Sequence, residues 1–206
     1  SLAASCSPSR RPWLPAQGVD GLRVGMGVGS VATSQQVKAC GRAQLSAIYH
    51  SARLARAYGV PVIADGGVAS TGAAIKALAM GASCVMMGSM LAGVDESPGE
   101  FFFQDGMRLK RYHGTTSVRD GQQSGPSRHD VVFGVAGAVV DKGSVHRFIP
   151  FLNQSVKHGQ QDMGVKSLAA LHESLYGGSL RFEMKSPAAQ KEGKVSEANK
   201  IFSIDD

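Results

Sequence analysis

Three times within about 75 residues the chain runs through a short apolar stretch, breaks at glycine and resumes with apolar residues at helical spacing. The segment "VDGLRVGMG" reads as a buried strand at about residues 19–24 that empties into a glycine loop. "QLSAIYHSARLARAYG" follows, with apolar residues at 45, 48, 52, 55 and 58 and a stop at Gly59, and is predicted to be a helix. "VPVIADGG" is the next strand, and "STGAAIKALAMG" the next helix, with capping residues at 70 and 71 and an end at Gly81. "ASCVMMGS" is a third buried strand ending in glycine and serine. Strands that alternate with helices in this way pair in parallel, and the helices cover the sheet.

Each strand leaves the sheet through glycine: Gly25, Gly27 and Gly29, then Gly66 and Gly67, then Gly88. Ligands of parallel sheets sit outside those carboxyl ends, and the last strands of a (β/α)8 barrel supply a phosphate site from backbone N–H groups. Gly66-Gly67 and Gly88-Ser89 have that character. A whole barrel takes roughly 250 residues and eight strands, so three core strands predict an α/β fold that is the C-terminal part of such a barrel. As a piece it is expected to leave unpaired strand edges and a half-covered core.

The remainder divides into a leader, a lid and a tail. Residues 1–17 carry prolines at 8, 12 and 15 and read as a disordered or unrelated leader. Residues 18–184 form the barrel-like part. Within them the helical pattern lapses from 93 to about 150, as expected of a long lid loop, and returns in "GQQDMGVKSLAALHESLYGG". Residues 185–206 are a polar tail expected to be extended.

Bulk composition excludes several classes. With 206 residues, 43% hydrophobic, the chain can bury a sizeable core. Its 26 glycines are clustered without a period, which rules out a collagen-like chain. The net charge of +6 is scattered, with short runs only at 9–11 and 108–111, so a nucleic-acid stripe is not expected. No apolar run approaches the roughly 20 residues of a membrane span, and without a signal-like start the expected location is cytoplasmic. Cys6, Cys40 and Cys84 are too few and too far apart for a disulfide framework or a thiolate metal site. Cys84, inside a strand, is expected to pack in the core.

The polar residues at the strand exits carry the chemistry. Asp65 ends a strand just before Gly66-Gly67, where a carboxylate accepts hydrogen bonds from ribose hydroxyls; it could equally cap the next helix. Ser30 and Ser89 could each donate a hydroxyl to a phosphate or close a local turn. "GMGVG" could turn carbonyls toward a monovalent cation, although a tight turn uses the same glycines. Arg128 and His129 lie together in the lid, where an arginine and a histidine could hold a water and share its proton. The histidines show no metal spacing, and Cys40 reads as a structural thiol.

The stretches "GLRVGMGVGSVATSQQVKACGRAQ", "VPVIADGGVASTGAAIKALAMGAS", "VMMGSMLAG", "RLKRYHG", "VAGAVVDKGSV" and "HGQQDMGVKSL" together resemble the inosine-5′-monophosphate (IMP) dehydrogenase and GMP reductase family. The resemblance covers about residues 18–184, the last part of the catalytic barrel. It is closer to the dehydrogenases, which oxidise IMP to xanthosine monophosphate with NAD in guanine nucleotide synthesis. By resemblance, Ser30, Gly66, Gly67, Gly88, Ser89, Tyr112 and Gly114 hold the nucleotide and Asp65 anchors its ribose. Gly27, Gly29 and the carbonyl of Ala32 would line a potassium site, and Arg128 with His129 stands where the family's lid activates water.

The departures from the family fall on the reaction rather than on the cradle. The family's loop reads glycine, serine, isoleucine, cysteine, and the cysteine attacks the purine; here it reads Gly29-Ser30-Val31-Ala32, and a methyl group cannot form the adduct. His129 replaces a tyrosine, Phe133 replaces a glutamine that contacts the purine, and Thr115-Thr116 follow Gly114 where methionine and glycine are usual. The resemblance therefore implies a purine monophosphate binder whose turnover is impaired or lost, with an incomplete NAD site. The alternatives are a non-catalytic assembly partner of full-length IMP dehydrogenase subunits, its own homo-oligomer included, and a degenerate gene product.

Overall fold

The structure is a computed structural model that describes residues 2–5, 18–25, 29, 32, 35, 39, 41–113 and 136–192. Its first layer is a parallel sheet in the order β1 (Leu2–Ser5), β2 (Gly21–Val24), β3 (Val62–Asp65) and β4 (Cys84–Met86). The register places Leu22 against Val62, Val24 against Ala64, Ile63 against Cys84 and Asp65 against Met86. Helix α1 (Gln44–Arg56) joins β2 to β3, and α2 (Thr71–Ala79) joins β3 to β4. The expected α/β alternation is present. In the strand order, β1 and β4 are the outer strands.

Alternation along the strands fixes where the core lies. Leu22, Val24, Val62 and Ala64 turn to one face and are buried with Ala47, Ile48, Ala52 and Ala55 of α1 and Ala77 of α2. Ser70 caps α2 by accepting the Ala73 N–H at 3.2 Å, as the capping residues foretold. The buried face of α1 agrees in part with the predicted one. Residues 47, 48, 51, 52 and 55 are buried, while Leu45 and Tyr58 are exposed. Small residues allow close approach to the sheet, and Ala47 and Ser51 join the expected Ile48, Ala52 and Ala55 there.

Four further expectations are corrected. Leu2–Ser5 pairs in parallel with β2, although no regular structure is expected before residue 18; the three prolines all follow this strand. Cys84 is exposed rather than packed in the core, because it shares the sheet face of Ile63 and Asp65, opposite α1 and α2. The tail contains a short helix, α6 (Pro187–Glu192), which Ser186 begins by accepting the Ala189 N–H at 3.2 Å. The segment from 93 to 150 is largely structured where it is described. After the short helix α3 (Ser89–Ala92), the strands β5 (Phe101–Gln104), β6 (Met107–His113) and β7 (Ala136–Val140) form an antiparallel sheet. Helix α4 (Val145–Asp162) then starts with Pro150 inside it, and α5 (Leu168–Tyr176) follows.

The β5–β6 hairpin turns on Asp105-Gly106, both with positive φ (51° and 73°), the conformation that a two-residue hairpin loop needs. Hydrogen bonds from three residues stitch this sheet to the body. The Lys142 N–H donates to the Gly93 carbonyl at 2.9 Å and the Asp95 N–H to the Gly143 carbonyl at 3.0 Å. The third donor residue is the buried Lys110, whose ammonium donates to the carbonyls of Val94, Asp95 and Ser97. Helix α4 lies on α2, where a Cβ at Gly159 would run into Ile75. Among the described residues no helix is long and apolar enough to cross a membrane.

Candidate functional site

Asp65, Gly66 and Gly67 form the exit of β3. Both glycines have positive φ (91° and 72°), which lets the chain turn sharply off the strand end. Gly88 and Ser89 form the exit of β4, with Gly88 preceding α3 and Ser89 opening it. Tyr112 arrives from the second sheet. Its Oη lies so near Gly88 that a Cβ there would be 2.6 Å away, so only glycine leaves room for the phenol. Burial raises the Tyr112 pKa, and the negative charge of Asp65 raises it further. Three separate segments thus place Asp65, Gly88 and Tyr112 together.

Delivery of Tyr112 follows from strand geometry. Residues two apart on a strand share a face, so Lys110, which anchors β6 over the 94–97 turn, sets the side on which Tyr112 emerges. Lys142, just after β7, reaches α3 and donates to the Met90 carbonyl at 2.9 Å. Partial burial lowers its pKa.

Two residues that the sequence did not single out complete the exit of β3. Arg23, on β2, donates from Nε to Asp65 Oδ2 at 2.8 Å, and its Nη2 lies 2.6 Å from the same oxygen. A charged residue inside the apolar run "GLRVG" was the available signal. Gln44 donates from Nε2 to the Asp65 carbonyl at 2.7 Å and to the Val24 carbonyl at 3.3 Å, tying the ends of β2 and β3. Its position after "GRA" gave no signal. Beside it, Gly25 has φ 100°, and a Cβ there would strike the Gln44 amide and the Asp65 carbonyl oxygen.

The other expected positions divide. Ser30, Gly27, Gly114, Arg128 and His129 lie outside the described residues, as do Cys6 and Cys40. Gly29 and Ala32 are described: the Ala32 N–H donates to the Gly29 carbonyl at 3.0 Å, which closes a local turn. A carbonyl oxygen has two lone pairs, so this bond does not exclude a cation at the Gly29 carbonyl. Among the described residues no cluster of three or more histidine, cysteine or acidic side chains could hold a metal.

A family model described as "IMP dehydrogenase / GMP reductase domain" matches residues 10–196, starting inside the segment read as a leader and passing the expected boundary at 184. The chain is 48% identical over 185 residues to inosine-5′-monophosphate dehydrogenase 2 of Arabidopsis thaliana, covering 86% of this chain and 37% of that protein. It is 45% identical over 195 residues to the inosine-5′-monophosphate dehydrogenase of Schizosaccharomyces pombe, covering 88% and 37%. With that of Toxoplasma gondii the figures are 41% over 240 residues, 86% and 43%. The chain therefore spans well under half the length of these curated relatives. With nine tenths of its length inside one family model, and with the glycine exits that carried the resemblance at the ends of parallel strands, the chain belongs to the IMP dehydrogenase/GMP reductase family.

Proposed function

We propose that this chain is the C-terminal part of an IMP dehydrogenase-type barrel that binds a purine nucleoside monophosphate and does not oxidise it. The observation that carries the reading is the convergence of Asp65, Gly88 and Tyr112 from three segments of the chain. The turns Gly66-Gly67 and Gly88-Ser89 would hold the phosphate by backbone N–H groups, Tyr112 would add its hydroxyl, and Asp65 would accept from the ribose. Ser30 and Gly114 join this cradle by resemblance alone.

Loss of turnover rests on Ala32. In the family the residue at this position attacks the purine, and alanine offers no lone pair. Losing one oriented hydrogen bond in an active site costs about 3–4 kcal/mol, whereas losing the nucleophile removes the path itself. NAD and potassium enter the proposal only through the family, with Gly27, Gly29 and Ala32 as the potassium positions and Arg128 and His129 as the lid pair.

The test combines a calorimetric titration of the full chain with IMP and a measurement of NADH formation from IMP, NAD and potassium ion. Saturable IMP binding without NADH is the expected result. NADH formation at an ordinary enzymatic rate, about 1 s⁻¹ or more, would overturn the claim about turnover, and absence of nucleotide binding would overturn the cradle.

The second reading is docking onto a full-length IMP dehydrogenase subunit. It is favoured by the exposure of Cys84 and Met86 on the outer strand β4. It predicts co-elution with such a subunit whether or not IMP is present.

A further inference from the structure

The ion pair between Arg23 and Asp65 has a geometry that goes beyond charge neutralisation. Arg23 lies opposite Ile63 in the β2–β3 register, two residues before Asp65, so the two side chains share a face and meet diagonally. Nε and Nη2 both reach Oδ2 of the carboxylate, at 2.8 and 2.6 Å, so Oδ1 is not engaged by the arginine. Asp65 is 14% exposed and Arg23 33%. From the other side Gln44 fixes the backbone carbonyl of Asp65. The residue is therefore held by its backbone and by one carboxylate oxygen at once.

A carboxylate's terminal torsion is broad when free, and ordering it at the moment of binding lowers affinity. A guanidinium keeps its charge and presents its donors in a rigid fork, so it can stop that rotation beforehand. A lysine at the same place supplies charge as a single point and cannot bring two donors to one oxygen in a fixed plane.

We propose that Arg23 is the positioning residue for sugar recognition: by clamping Oδ2 it presents Oδ1 of Asp65 to a ribose hydroxyl of a purine nucleoside monophosphate. The inference rests on the nucleotide-cradle reading above and deepens it by assigning the source of ribose selectivity. A purely structural ion pair would affect folding and leave that selectivity untouched.

The experiment compares the affinities of the full chain for IMP, 2′-deoxy-IMP, 3′-deoxy-IMP and 2′,3′-dideoxy-IMP by calorimetry. For the wild type, IMP is expected to bind about tenfold or more tightly than at least one of the monodeoxy analogues, the worth of one hydrogen bond to a charged acceptor. Arg23→Lys and Arg23→Gln are expected to reduce that ratio to about threefold or less, with dideoxy-IMP binding unchanged. Asp65→Asn should also collapse the ratio, and adding Arg23→Gln to it should lose nothing more, because the two act as one unit. Circular dichroism and melting of each variant report on the fold, and Arg23→Lys, which keeps the charge, answers the question if Arg23→Gln does not fold.

Retention of the wild-type ratio by the Arg23 variants would overturn the inference while leaving the cradle standing. Failure of the wild type to bind IMP at all would overturn both.

Discussion

Replacing Lys110 by methionine should loosen the second sheet and carry Tyr112 off Gly88. The lysine is 1% exposed, and its ammonium donates to the carbonyls of Val94 (2.6 Å), Asp95 (3.1 Å) and Ser97 (2.6 Å), with the Phe101 ring centre 4.5 Å away. Methionine keeps the length of the stem and removes all three donors. The three carbonyls do not suffer equally. Asp95 is exposed, so water replaces the lost donor there. The Val94 carbonyl still receives the Ser97 hydroxyl at 2.9 Å. The Ser97 carbonyl bears the main loss, about 1–3 kcal/mol for an acceptor left without its partner, and the contact with Phe101 adds about 0.5–1 kcal/mol. Against these stands relief from burying a charge, so the net cost is about 1–3 kcal/mol. For a chain of this size that lowers Tm by roughly 2–12 °C. The local effect is sharper: amide hydrogen exchange at Asp95, Ser97 and Arg111 should quicken by about 5- to 150-fold, measured by mass spectrometry beside a thermal melt. A methionine variant that melts within about 2 °C of wild type, with unchanged exchange at those amides, would show that the buried charge does not anchor β6.

Two other perturbations have signs that follow from the structure. Tyr176 Oη is buried with no hydrogen-bond partner among the described residues, pressed against Gly81, and burial is the main cause of its raised pKa. Tyr176→Phe keeps the ring beside Tyr49 and under Arg56, so it should stabilise the fold by about 1 kcal/mol, read as a higher urea midpoint; a lower midpoint would show that the hydroxyl is satisfied. Glu96 accepts the Ser144 hydroxyl at 2.6 Å and the Val145 N–H at 2.8 Å at the start of α4, and these bonds hold its pKa below the usual glutamate value, the hydroxyl contributing most. A depressed carboxylate lends stability that is complete above its unfolded pKa of about 4.3 and is lost as pH falls through the lower folded value. The gap in Tm between wild type and Glu96→Gln should therefore narrow below about pH 4; a gap unchanged at pH 3 would refute the assignment.

How far the sequence could be read depended on whether a feature was set locally. The parallel strands were visible because apolar runs ending in glycine admit few other structures, and Gly66-Gly67 owe their positive φ to the turn itself. The cap at Ser70 was readable for the same reason. The β5–β6 hairpin was also local, and its signal was present: "QDGM" places Asp105-Gly106 where a two-residue loop with positive φ is required. The phenylalanines and basic residues on either side fall within the expected lid, whose lack of helical spacing hides the turn. Long-range features were not readable at all. Gln44 meets Asp65 across 21 residues and Lys110 meets Val94 across 16. No spacing rule links such pairs, since their contact is created by the packing of one unit on another.

The exposure of Cys84 and the accessibility of Asp65 have a single cause. Val24 and Ala64 spend their side chains on α1 and α2, so alternation sends Arg23, Ile63 and Asp65 to the other face, joined in register by Cys84 and Met86. A parallel sheet ordinarily has both faces covered, and an apolar strand such as "SCVMM" is read as buried on that assumption. Among the described residues the helix face is the filled one, and a thiol expected in the core is exposed. The same opening leaves Asp65 held by Arg23 and Gln44, with no second helical layer over it among the described residues, and a carboxylate sealed by such a layer could not meet a ligand hydroxyl. The misplaced cysteine and the candidate sugar anchor thus belong to one sheet face, opposite α1 and α2. A covering layer that packed Cys84 as the sequence suggests would have to leave a channel over Asp65 for the proposed function to stand.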